Sequence, residues 1–422
     1  MRLGRCAPTL GALFALSGVA SANGRTAATA TVSNDPSAPS RIIVGATFGP
    51  LISEDDGATW RWSCEENIGY SGVYDPVYVV TPVGTVIATT EGGLRISRDH
   101  GCSYGIAPEV EGRGAVDVTV GPDGRVWAAI TANSADPSVF VSGDDAATFT
   151  SAGLGRLRTV WRTLRVAPSD AERVFVSGYL IPTAGGGAAT PLLYRREADG
   201  GWTEIPFSAS GATEIAVLAV DPVDADVVYA KIAGETADRL FRSDDGGVSW
   251  DPVLTLDGFL TGFVPPEGGE PGVVTSKVGS GWRSVDGLTW TPTEAAPHGF
   301  NLCLVRRPGG RLMLCGNNTD FERSAIVTSD DDLASIEGMF RFTDIAGPLE
   351  CPGVAGVHND VCVPTWPSVR AGLGMIGRDA VTVDAVTTPD APGTGGGGGG
   401  CGCGVALGVG LVGVFGRRRR RS

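Results

Sequence analysis

The sequence predicts an all-β protein, a seven-bladed β-propeller with four-stranded antiparallel blades. Three observations predict it. A serine–acid–glycine–aromatic octet, or a worn copy of one, returns seven times at intervals of 41 to 53 residues. A proline precedes each octet by 15 to 27 residues: Pro36, Pro82, Pro122, Pro168, Pro222, Pro265 and Pro308. Between proline and octet lies an apolar, β-branched run, such as Arg41-Ile42-Ile43-Val44, Arg173-Val174-Phe175-Val176 or Val227-Val228-Tyr229-Ala230. A fixed period in this range marks a repeat architecture, and four short strands per unit of about 40–50 residues make a propeller blade. Each unit reads as strand, Pro/Gly turn, strand, strand, octet turn, strand. Closing such units into a ring buries both faces of every sheet and leaves only short edges.

The first 22 residues have the build of a secretory signal peptide. Arg2 and Arg5 start it, an apolar stretch runs from about Ala7 to Val19, and Ala20-Ser21-Ala22 supplies a small-x-small cleavage site after Ala22. The propeller is expected over residues 26–370.

The cleanest octets are Ser53-Glu54-Asp55-Asp56-Gly57-Ala58-Thr59-Trp60 and Ser243-Asp244-Asp245-Gly246-Gly247-Val248-Ser249-Trp250. The others start at Ser97 (with Asp99 and Gly101), Ser142 (with Asp144), Arg195, Ser284 and Ser329. The chemistry is that of a tight hairpin. Short Ser and Asp side chains bond turn backbone, glycine permits positive φ, and Trp60 or Trp250 packs between sheets. These octets resemble the Asp-box, or BNR, repeat of sialidase-like propellers, Ser-x-Asp-x-Gly-x-Thr-Trp, over roughly residues 26–345. The resemblance implies that the boxes lie at the blade periphery, away from the binding face. Their acids are then scaffold rather than catalytic groups or metal ligands.

Residues 371–400 form a Thr-, Pro- and Gly-rich tether ending in six glycines, and residues 401–422 hold Cys401-Gly402-Cys403-Gly404, an apolar run from Val405 to Phe415, and Arg417 to Arg421. The apolar run is shorter than the roughly 20 residues a spanning helix needs. Glycines, cysteine, apolar segment and terminal arginines, in that order, resemble the MYXO-CTERM sorting signal of myxobacterial surface proteins. That resemblance implies processing near Cys401 or Cys403, loss of the apolar tail, lipid anchoring through a cysteine, and a place in the cell envelope or on the outer surface.

The net charge is −14, and both termini are basic, so the part between them is more acidic still. An acidic exported domain argues against nucleic-acid binding. Lys231 and Lys277 are the only lysines. Of nine cysteines, Cys6 leaves with the signal and Cys401 and Cys403 belong to the tail. Cys64, Cys102, Cys303, Cys315, Cys351 and Cys362 remain, an even set that an oxidising compartment would pair. Cys303 and Cys315 flank a Pro-Gly-Gly turn and are placed to bridge adjacent strands. Cys351 with Cys362 would close a short loop, and Cys64 with Cys102 would tie neighbouring blades. With three histidines and no CxxC in the mature domain, no metal and no cofactor is expected.

Ligands of propellers enter at the channel mouth, which is lined by the connections into the innermost strands. Aligned on the repeats, these are residues 72–75, 112–114, 160–162, 211–214, 258–260 and 298–300. They carry Tyr74, Asp75, Arg113, Trp161, Arg162, Glu214 and His298. Aromatics, arginines and carboxylates in this setting fit a sugar or a peptide. A sialidase would need arginines from several blades and a Phe-Arg-Ile-Pro string. Here Tyr179-Leu180-Ile181-Pro182 lacks the arginine, and Arg156, Arg158, Arg162 and Arg165 sit in one unit. A glycoside hydrolase with Asp75 and Glu214 as its carboxylate pair is the enzymatic alternative. The preferred expectation is a monomeric, non-enzymatic surface module that binds carbohydrate or an envelope protein, because fold alone selects no chemistry. Two runs compete to close the ring: Ala28-Thr29-Ala30-Thr31-Val32 and Val381-Thr382-Val383.

Overall fold

The computed structural model describes residues 26–374 except 73, 132–135, 184–185, 294–302 and 317–323. The signal peptide, the tether beyond residue 374, Val381–Val383, Cys401, Cys403 and His298 lie outside the described residues.

Seven four-stranded antiparallel units follow one another along the chain. Their innermost strands are Thr29–Asn34, Tyr78–Val80, Ala115–Val120, Thr159–Ala167, Ile215–Val220, Leu260–Val264 and Cys303–Arg306. Each packs beside the next, and Cys303–Arg306 packs beside Thr29–Asn34, so the ring is closed. The recurring prolines fall in the turns between first and second strands, and the octets fall between third and fourth. Both therefore lie on one face of the ring. The connections between blades and the middle turn of each blade lie on the other.

Every blade is made of its own four strands. Thr29–Asn34 is the inner strand of blade one and Trp60–Trp62 its fourth, so no terminal strand completes a neighbour's sheet. Glu337–Phe340, after the last octet, completes blade seven, and the segment beyond it does not add to that blade. Ile345–Pro348 crosses to blade one and pairs in parallel with Trp60–Trp62, as a fifth strand. The chain then runs through a π-helical turn, His358–Cys362, into helix Val363–Gly372. Two disulfides fix this strap, Cys102–Cys351 to blade two and Cys64–Cys362 to blade one. All six cysteines are paired, but two of the pairings differ from the sequence reading. The strap brings Cys351 and Cys362 back against the blades instead of closing a local loop. Cys303–Cys315 joins opposed residues of adjacent strands in blade seven, as the spacing implied.

An innermost strand presents an unpaired backbone edge, and buried edges need partners. Side chains of the adjacent blade supply them. Ser177 Oγ accepts from Val217 N at 2.9 Å, Asp117 Oδ2 from Leu164 N at 2.8 Å, and Asp238 Oδ2 from Leu260 N at 2.9 Å. At the closing seam Thr29 Oγ1 donates to Ala325 O at 2.7 Å. Arginine does the same work on the octet face, where every seam is crossed by one. Arg41 donates to His100, Arg98 to Asp145, Arg125 to Glu172, Arg195 to Gly246 O, Arg242 to Asp286 O, Arg306 to Pro271 O and Arg307 to Asp56. The planar fork suits this clasping better than lysine would. The arginine-heavy composition thus has a structural use at each seam.

The octets are self-contained hairpins. In blade one Ser53 Oγ donates to Asp55 Oδ1 at 2.9 Å and accepts from Gly57 N at 2.8 Å, while Trp60 Nε1 donates to Gly57 O at 2.9 Å. Ser243, Asp245, Gly247 and Trp250 repeat the pattern in blade five. The worn copy at Ser329 keeps the serine and aspartate bonds, with Leu333 at the glycine position holding φ 67°. The copy at Arg195 is instead a short hairpin in which Glu197 N donates to Gly201 O at 2.8 Å. Hydrogen bonds from Thr148, Ser249 and Thr289 hold the carboxyls of Asp144, Asp245 and Asp286 down to about 2.

Candidate functional site

On the face opposite the octets, the residues picked from the sequence separate into three groups. The first is absorbed into packing. Trp161 is 1% exposed, in the core between blades three and four, so it is not a ligand platform. The Tyr74 hydroxyl donates to Ala115 O at 2.6 Å across the seam from blade two to blade three, with Thr89 Oγ1 at 3.0 Å. Burial pushes its phenol up to about 12. Arg113 braces its own blade, donating to Asp136 O at 3.0 Å and Ser138 Oγ at 3.1 Å while lying 5.0 Å above the Phe140 ring.

The second group is accessible. Arg162 Nε donates to Glu214 Oε2 at 3.0 Å, crossing the seam between blades four and five. The same guanidinium lies 5.2 Å over the Tyr179 ring. The Arg162 side chain remains 46% exposed. Inner strand Thr159–Ala167 positions it, because alternation along a strand sends Trp161 into the core and Arg162 the other way. Asp75 is exposed at the entry to blade two. It stands three blades from Glu214 around the ring, so the structure does not bring the two carboxylates together as neighbours. His298 lies outside the described residues.

The third group centres on an acid that was not singled out from the sequence. Asp117, 4% exposed on the inner strand of blade three, accepts from Leu164 N at 2.8 Å and from Arg165 Nη1 at 2.6 Å. Arg165 Nε donates onward to Leu218 O of blade five at 2.9 Å. One carboxylate and one guanidinium thus lock three successive inner strands. Arg156 turns outward to Tyr194 and Glu204. The four clustered arginines therefore diverge and do not form a carboxylate-binding triad. The signal available for Asp117 was a lone acid in the otherwise uncharged strand Ala115–Val120.

A serine–histidine pair lies beneath the strap. His358 Nε2 donates to Leu349 O at 2.8 Å, so Nδ1 accepts from Ser63 Oγ at 3.1 Å. Ser63 is 0% and His358 1% exposed, and Asn67 Nδ2 donates to Ser63 Oγ at 3.1 Å. A nucleophile with no access to solvent has no substrate, so this is a structural chain joining strap to blade one. Burial lowers the affinity of His358 for a proton. The imidazole is therefore neutral when folded and protonates once unfolded. Stability should fall as pH drops below about 6.5, by up to roughly 1.4 kcal/mol per pH unit, until the folded group also titrates. Melting curves between pH 7 and 5 check this: His358→Asn should show a shallower decline than wild type, and parallel curves would contradict the assignment.

Among the described residues there is no cluster of His, Cys, Asp and Glu fit to hold a metal, and no helix long and apolar enough to cross a membrane. A shallow groove of about 520 Å³ lies on the octet face between blades two and three, beside Arg98 and Asp99.

No family model matches the chain, and no curated protein does. Solved structures do. An ancestral GH74 enzyme matches with TM-score 0.57 and 15% identity, over 76% of this chain and 47% of its own. The GH74 xyloglucanase from Xanthomonas campestris matches with TM-score 0.47 and 15% identity, over 73% of this chain and 60% of its own. YCF48 from Cyanidioschyzon merolae matches with TM-score 0.48 and 13% identity, over 69% of this chain and 93% of its own. The chain spans about half the length of the first of these. At such identities the likeness is one of architecture, and what the chain shares with these proteins is the β-propeller fold.

Proposed function

We propose that the protein is an exported, surface-anchored propeller that serves as a non-enzymatic binding module, taking carbohydrate or a protein partner at the channel mouth. The observation that carries this reading is the Arg162–Tyr179–Glu214 cluster. It is an accessible guanidinium, braced by a ring and a carboxylate, at the mouth of a fold whose other mouth side chains Tyr74, Arg113 and Trp161 are engaged in packing. Three disulfides support export, since such bridges persist in oxidising compartments. The octets support the Asp-box reading, and the cysteine-bearing tail supports anchoring through a processed C-terminus of the MYXO-CTERM kind. Mass spectrometry of the mature surface protein should find neither Arg421 nor the apolar run; an intact Arg421 would sink the processing.

The alternative is a carbohydrate-active hydrolase using Asp75 and Glu214. Incubating the purified protein with a polysaccharide panel should release no reducing ends. Release that disappears in Asp75→Asn or Glu214→Gln would overturn the binding reading. For a ligand retained by the protein, Arg162→Ala should weaken binding about tenfold, the size of effect seen when an interface anchor is truncated.

A further inference from the structure

We infer that the ligand of the mouth face is a protein segment, not a sugar, and that it docks across blades four to six with an apolar side chain flanked by a carboxylate. The inference rests on the reading that this face binds a ligand. Sugar sites use open aromatic faces. Here the Trp161 ring is buried, the Tyr74 hydroxyl is spent between blades, and Tyr179 is covered by Arg162. The large apolar side chains exposed on this face include three aliphatic ones, Leu157 at 68%, Ile181 at 42% and Val278 at 63%, and one aromatic ring, Phe259 at 42%.

These side chains come in two pairs. Leu157 and Ile181 are brought together on blade four, where Ile181 N donates to Arg158 O at 2.7 Å. Phe259 and Val278 are brought together on blade six, where Lys277 N donates to Phe259 O at 2.8 Å. The connection into blade five, between them, carries the small residues Gly211, Ala212 and Thr213. Two apolar pairs thus flank a connection of small side chains, a setting that suits an extended segment. Single exposed apolar residues are ordinary, and it is their pairing on one face that sets these four apart.

Charge selects the partner. Arg158 is exposed, is held at φ 57°, and makes no ion pair among the described residues. Arg162 stands near the start of the same strand and keeps nearly half its side chain in solvent. In a chain of net charge −14, a free arginine next to Leu157 favours a carboxylate beside the docking apolar residue.

The test pans a random dodecapeptide display library against the purified mature protein and applies an immobilised glycan panel in parallel. The expected result is enrichment of peptides with Leu, Ile or Phe next to Asp or Glu. Their affinity should fall about tenfold or more in Leu157→Ser, Ile181→Ser and Arg158→Glu. Val223→Ser and Val285→Ser, exposed on the octet face, should leave it unchanged. Glycan binding that is lost in Arg162→Ala, without peptide enrichment, would overturn the protein-segment inference and leave the mouth as a binding site. Enriched peptides insensitive to the blade-four variants, or no binding of either class, would overturn both.

Discussion

Opening the two strap disulfides should destabilise the protein more than any other covalent change in it. Cys64–Cys362 and Cys102–Cys351 join residues 298 and 249 positions apart, whereas Cys303–Cys315 spans 12. On chain-entropy grounds the longest loop stabilises by on the order of 5 kcal/mol and the shortest by about 3. The topology adds to that difference. With no strand shared between blades seven and one, closure rests on Thr29, on Arg307 with Asp56, on a common apolar cluster around Trp60, Phe340 and Phe342, and on the strap. Replacing Cys64 and Cys362 together by serine should lower the melting temperature by roughly 10 °C. The corresponding change at Cys303 and Cys315 should do distinctly less. Hydrogen exchange should then rise first in residues 29–34 and 345–374 while blades three to five stay protected. Equal losses for the two pairs, with uniform exchange, would show that the strap is not the ring's clasp.

Asp117→Ala should cost about 2–3 kcal/mol, the range for stranding a buried donor together with the loss of a charge-assisted bond to a partly exposed arginine. The change strands the Leu164 amide, a buried donor, and leaves Arg165 without its counter-charge between three inner strands. Asp117→Asn should cost less, because an amide oxygen still accepts from Leu164. Urea unfolding of both variants decides the matter. A loss below about 1 kcal/mol for the alanine variant would mean that the three strands are held by apolar packing alone.

The ring and its blade boundaries were legible because proline and octet are local signals, each confined to one turn. Ser329 shows how far that goes: its hairpin keeps the serine and aspartate bonds although leucine replaces glycine and isoleucine the aromatic, whose indole bond is lost. The strap was not legible. Ile345–Pro348 is four residues without alternation, and its partner Trp60–Trp62 lies at the other end of the chain. Nothing local in Cys351 or Cys362 points there. At the mouth the residue types were visible but their allegiance was not. Trp161 and Arg162 are sequence neighbours, yet strand alternation buries one and exposes the other. Tyr74 looked like a ligand group because its acceptor, Ala115 O, belongs to the next blade.

The strap also decides where pulling force would travel. Tension on the chain beyond Gly374 enters helix Val363–Gly372 and meets Cys362 at its base, where a covalent bond passes it to Cys64 beside the fourth strand of blade one. The second bridge branches the load to blade two. Blade seven, the last to be made and the one whose outer strand would otherwise peel, is bypassed. A propeller tugged by its C-terminus is therefore held from the blades that begin it, and load on its tail does not pass through the outer strand of blade seven.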